Sequence, residues 1–260
     1  MLRDDTSCRC YEDDMYKLYL WGYSAYDSGK ELLDVAWCFK ILRFLGCAKG
    51  FTVNWWKIPK PRIVLGGKFP TRAEVNGGWA FPGKNAVYIY RQEEWDRVLI
   101  HECIHALLWD IAPVNGLKVC LESSLNNGVL MDALFEAATE LNAEWLWTII
   151  HSPDDDDTGK TWIKQTDWQK KQAFEIIARS ENVWSEDTSV FAYYVLKAVL
   201  AQDMGEFLME WLPGTANSTK WCEKWEANKN LYYEMAKQNG ITVNKSISTR
   251  MTNPALDSRS

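Results

Sequence analysis

Apolar side chains follow two rhythms in the first third of the chain. From Glu31 to Cys47, Leu32, Leu33, Val35, Ala36, Phe39, Ile41, Leu42 and Leu45 cover most of a helix circumference, which predicts a largely buried helix ended by Gly46 and Gly50. Residues 1–30 before it are polar and Tyr-rich, with a short helix expected near Met15–Leu20. Across residues 51–91 the rhythm shortens. Prolines at 59, 61, 70 and 82 and glycines at 66, 67, 77, 78 and 83 cut the chain into strand-like runs at Phe51–Trp55, Arg62–Leu65, Trp79–Phe81 and Ala86–Tyr90. The segment Pro82-Gly83-Lys84-Asn85 reads as the turn of a hairpin joining the last two. Beyond Arg91 the pattern favours helix: Gln92–Ile111, with acids in its first turns, then Val129–Ile150, Trp168–Ser180, Val190–Trp211 and Thr219–Gln238. A loop at Asn126-Asn127-Gly128 separates the first two, and residues 241–260 read as a polar, mobile tail.

Length and charge narrow the classes. A chain of 260 residues suits one or two domains and can bury a core without staples. The pattern suggests an N-terminal helical segment at 1–50, a core at 51–150, a helical subdomain at 151–240 and the tail at 241–260. A net charge of −6 argues against nucleic-acid backbone binding, and the small basic–aromatic patch of Lys57, Lys60, Arg62, Trp55 and Trp56 does not outweigh it. Seven cysteines at irregular spacing give no disulfide framework and point to an intracellular, reducing (cytoplasmic) compartment. The acids after Arg3 do not read as a secretory signal. No apolar run reaches the roughly 18 residues of a membrane span. Asp154–Asp157 lacks the Gly and final Glu of a calcium loop and reads as solvated.

The chemistry concentrates in His101-Glu102-Cys103-Ile104-His105, which contains two of the chain's three histidines. Side chains four apart on a helix lie on one face, so both imidazoles reach one zinc ion at about 2.0–2.1 Å. Glu102 can take a proton from a metal-activated water, whose pKa zinc lowers to about 7. A catalytic zinc takes a third protein ligand and keeps one position open. No HExxHxxGxxH continuation follows His105, so that ligand comes from elsewhere. His151 is one source. The helix Leu134–Trp147 is another, because Glu136, Glu140 and Glu144 recur every fourth residue among small apolar neighbours, and burying such a stripe is costly without a cation.

The hairpin Gly77-Gly78-Trp79-Ala80-Phe81 and Ala86–Tyr90, followed directly by the HExxH helix, resembles the layout of zincin metallopeptidases, where an edge strand precedes that helix beside the cleft. Glu140-Leu141-Asn142-Ala143-Glu144 is similar to the ExxxE/D signature of gluzincins, and closer still to the ExxAE of lethal-factor-type enzymes. The resemblance spans roughly residues 60–150. It implies an α+β, zincin-like fold, with a small N-terminal mixed sheet, the HExxH helix and a mainly helical C-terminal part. It implies Glu140 as the third zinc ligand and Glu144 as the acid that orients a ligand His. The register one turn earlier, with Glu136 as ligand and Glu140 behind it, stays open. Such sites also need an oxyanion donor; His151 is the candidate, whereas Tyr193 and Tyr194 sit in an apolar run and read as core. The implied function is a zinc-dependent peptidase with Glu102 as general base, acting on protein or peptide laid along Ala86–Tyr90. The alternative is a zincin-fold binding or structural module of a larger assembly.

Overall fold

The computed structural model describes residues 7–22, 28–66, 68–109, 130–152, 154–179, 188–203, 247–248, 250–251, 253 and 256. The expected Asn126–Gly128 loop and the helix at 219–238, together with Cys120 and Cys222, lie outside the described residues. In chain order the elements are β1 (Ser7–Glu12), β2 (Tyr16–Gly22), α1 (Ser28–Phe44), β3 (Phe51–Trp56), β4 (Ile63–Val64), α2 (Arg72–Val75), β5 (Gly78–Ala80), β6 (Ala86–Ile89), α3 (Trp95–Ala106), α4 (Leu130–His151), α5 (Asp155–Arg179), a π-helical stretch (Phe191–Leu196) running into α6 (Lys197–Leu200), and β7 (Ile247–Ser248). The protein is mixed α/β, with a mixed sheet in its N-terminal part and helices around and after it. No helix among the described residues is long and apolar enough to cross a membrane.

The chain forms two compact units. One unit is Met1–Pro61 with Gly77–Trp109, and the other is Arg62–Asn76 with Asp110–Ser260.

The first unit is built on a five-stranded sheet of order β1-β2-β3-β6-β5. Strand β2 runs parallel to β3 and β3 parallel to β6, while β1 and β5 close the two ends antiparallel. Alternation explains the faces. Tyr16, Leu18 and Leu20 of β2, Phe51, Val53 and Trp55 of β3, and Val87 and Ile89 of β6 are all buried. Val35, Cys38, Phe39, Ile41, Leu42 and Leu45 are among the buried side chains of α1 and the turn after it. This helix is the crossover that parallel β2 and β3 require. The short helix expected near Met15–Leu20 is therefore strand: Tyr-Lys-Leu-Tyr-Leu has the period of two that a half-buried strand needs, and β3 supplies its ladder. On the opposite face Trp21, Trp56, Tyr88 and Trp79 stack across four strands, with ring centroids 5.8, 6.4 and 4.8 Å apart in turn.

The expected hairpin is present as β5 and β6, with Gly83 of its turn at φ 72°. Its place in the sheet changes the substrate expectation, however. Strand β6 lies between β3 and β5, so the Ala86–Tyr90 strand has both edges occupied, and β5 is the end strand.

The second unit packs α4, α5, the π-helical stretch and α6 around a core that includes Ala137, Leu141, Ala173, Ile176, Val190, Tyr194, Val195 and Val199. The expected mobile tail contributes to this unit wherever it is described. Strand β7 pairs antiparallel with β4, and Met251 is buried. Gln165 donates to Met251 O at 2.6 Å, Gln172 to Ser248 O at 3.1 Å, and the Trp168 indole to Arg250 O at 3.1 Å. A polar segment is held because a helix stripe supplies partners for its backbone.

Candidate metal centre

Helix α3 is shorter than the expected Gln92–Ile111. It starts after Glu94, whose φ of 56° is left-handed, and ends in a tight C-terminal motif at Leu108, φ 61°. Leu108 N–H donates to His105 O and Trp109 N–H to Ile104 O, both at 3.1 Å, which satisfies the last carbonyls with a leucine where glycine is usual. Gly83 N–H, from the hairpin turn, donates to Ala106 O at 3.0 Å. The hairpin is thus fastened to the helix end that carries the motif.

On this helix His101 is buried, His105 half-buried, and their Nε2 atoms are 3.1 Å apart. Two nitrogens held at about 2.05 Å on a tetrahedral ion stand about 3.3 Å from one another. Glu102 is buried beside them, under strand β5. A Cβ on Gly78 would sit 2.7 Å from Tyr88 O, 2.9 Å from Val98 Cγ1 and 3.0 Å from Glu102 Cγ. The absence of a side chain at residue 78 is what lets the end strand lie this close to Glu102. Cys103, between the histidines in sequence, is fully buried, and that burial raises its pKa well above the usual thiol range, with Cys47 adding to the shift. Burial of this kind disfavours the thiolate, the form that acts as nucleophile or metal ligand. The described cysteines are all free thiols.

In the second unit the three stacked carboxylates of α4 differ in surroundings. Glu136 is half-buried, and its Oε2 accepts a hydrogen bond from the Tyr193 hydroxyl at 3.1 Å. Glu140 is 1% exposed, and its Oε1 lies 3.8 Å from Lys197 Nζ. Glu144 is fully buried and accepts both from Lys197 Nζ and from Gln169 Nε2. The expected ligand, Glu140, and the expected orienting acid, Glu144, therefore share one buried ammonium. Among the described residues, His101, His105 and Glu136 form a group that could hold a metal ion, Glu136 being the register the sequence left open beside Glu140. His151 closes α4. Its Nδ1–H donates to Trp147 O at 2.8 Å, and its ring stacks on Trp147 at 4.2 Å. Tyr194 is core, as read from the sequence, whereas Tyr193 reaches Glu136. Lys197 carries almost no signal in the sequence. Its only signal is one cation in the apolar run Phe191–Leu200.

Within the basic–aromatic patch, Trp55 is buried, and Lys57 is buried against Asp34 at 2.6 Å with its Nζ 4.5 Å from the centre of the Trp55 ring. No protein-family model matches the chain, and no curated protein and no solved structure matches it significantly.

Proposed function

We propose that the protein is a zinc-dependent peptidase of the HExxH type, with His101, His105 and Glu136 holding the ion. The observation that carries this reading is the His101–His105 pair, whose Nε2 atoms at 3.1 Å fall near the separation that tetrahedral zinc imposes on two ligands. Two imidazoles and one carboxylate suit a catalytic zinc, because three protein ligands leave a fourth position for water or substrate. The ion would supply Lewis acidity toward the scissile carbonyl and toward the attacking water.

The chain's own residues do the rest. Glu102 takes the proton from the attacking water and returns it to the leaving amine, a role that favours a carboxylate shielded from bulk water. An extended peptide backbone adds to the sheet at the outer edge of Gly78–Ala80, in place of the Ala86–Tyr90 strand expected from sequence. Glu136 rather than Glu140 completes the site, because withdrawing Glu140 toward a metal would strip a buried lysine of part of its counter-charge.

The test is elemental analysis and peptide hydrolysis with the full chain and with Glu102→Gln. The expected result is one zinc per chain in both proteins and a loss of turnover of about 10²–10⁴-fold in the variant. Zinc in both proteins with unchanged activity would identify a structural or binding module. Absence of zinc from protein prepared with metal present would overturn the reading.

A further inference from the structure

We infer that one helix, through Tyr193 and Lys197, selects which of the three stacked carboxylates serves as metal ligand: Tyr193 orients Glu136, and Lys197 withholds Glu140 and Glu144. This rests on the zinc reading above. By sequence Glu136, Glu140 and Glu144 are equivalent, recurring every fourth residue of α4. Their partners make them unequal. The Tyr193 hydroxyl, 3.1 Å from Glu136 Oε2, is neutral. It limits the carboxylate's rotation without itself neutralising the charge. Lys197 is a cation with no exposed surface, bonded to Glu144 and 3.8 Å from Glu140. Each of those carboxylates already has a buried positive partner, and moving either toward a metal would leave the ammonium undercompensated in an apolar core. Gln169 ties Glu144 further, and Met251 Sδ lies 3.9 Å from Lys197 Nζ.

The backbone of the same helix brings the two residues to the same partner helix. Phe191–Leu196 is π-helical, and Lys197 N–H donates to Ala192 O, five residues back. Widened turns of this kind are rare and cluster at functional sites. Tyr193 meets Glu136 and Lys197 meets Glu140 and Glu144, so both helices advance together. Tyr193 and Lys197 are positioning residues.

The experiment measures zinc affinity by competition with a chromophoric chelator, together with the melting temperature of the zinc-free proteins. Tyr193→Phe removes one hydroxyl. It is expected to weaken zinc binding about 10–100-fold, the usual effect of losing a partner behind a ligand, while its zinc-free form melts with wild type. Glu140→Gln is expected to keep wild-type zinc affinity, and Glu136→Gln to lose it. Wild-type affinity in Tyr193→Phe, or a loss in Glu140→Gln as large as in Glu136→Gln, would overturn the selection. If Glu136→Gln itself binds zinc like wild type, the ligand assignment fails instead. If wild type binds no zinc, both proposals fall.

Discussion

Gly78 shows how much one residue can decide. A methyl group there would meet Tyr88 O at 2.7 Å, a backbone atom that cannot swing aside, as well as Val98 and Glu102. Gly78→Ala is therefore expected to cost about 1–3 kcal/mol, as overpacking usually does. It should also displace the end strand from Glu102, so on the proposed peptidase reading hydrolysis of peptides should fall by more than the loss of folded protein explains. Urea unfolding alongside steady-state kinetics on the same preparations would read the two effects separately. The sequence marks Gly77-Gly78 as a break in a strand pattern. It does not say that the second glycine is needed because a helix side chain lies beneath it.

At the scale of elements, the two ends of α3 depart from usual caps. Leu108 occupies a left-handed position at φ 61° where glycine carries no penalty. Replacing it tests the motif: Leu108→Gly is expected to be more stable than Leu108→Val by about 1–2 kcal/mol, since a β-branched side chain suffers most at positive φ. The comparison by chemical denaturation cancels most of the shared loss of side-chain packing. The early end of α3 was not legible in sequence, because Leu107, Leu108 and Trp109 continue an apolar helical pattern and only the hydrogen bonds at Ile104 and His105 reveal the stop. The described residues of the tail depart from the sequence pattern for a related reason. Ser248, Arg250 and Met251 look unstructured by composition, yet their carbonyls accept hydrogen bonds from Gln172, Trp168 and Gln165, which recur along one face of α5. A backbone can be ordered by polar partners that carry no hydrophobic signal.

For the whole molecule, binding of an ion to the folded state alone stabilises it by mass action, about 2.7 kcal/mol when free ligand is a hundred times Kd. For a chain of this size that corresponds to roughly 5–11 °C in Tm, at about 2–4 °C per kcal/mol. If the proposed zinc site is correct, chelation lowers Tm by that order in wild type and leaves Glu136→Gln nearly unmoved. An identical shift in both proteins would point to a different metal site.

The amino-acid sequence alone determined what is local. Period-two and period-3.6 patterns located β3, β6 and α1, and the spacing of His101 and His105 put both imidazoles on one helical face, because residues four apart on a helix are neighbours wherever that helix goes. Tertiary structure decided what depends on residues distant in the chain. Strand order made β5 rather than β6 the end strand, although the two look alike in sequence. A lysine 53 residues after Glu144 set Glu140 and Glu144 apart from Glu136. Charge and spacing are the same for all three acids, and only the partner that folding brings to each distinguishes them.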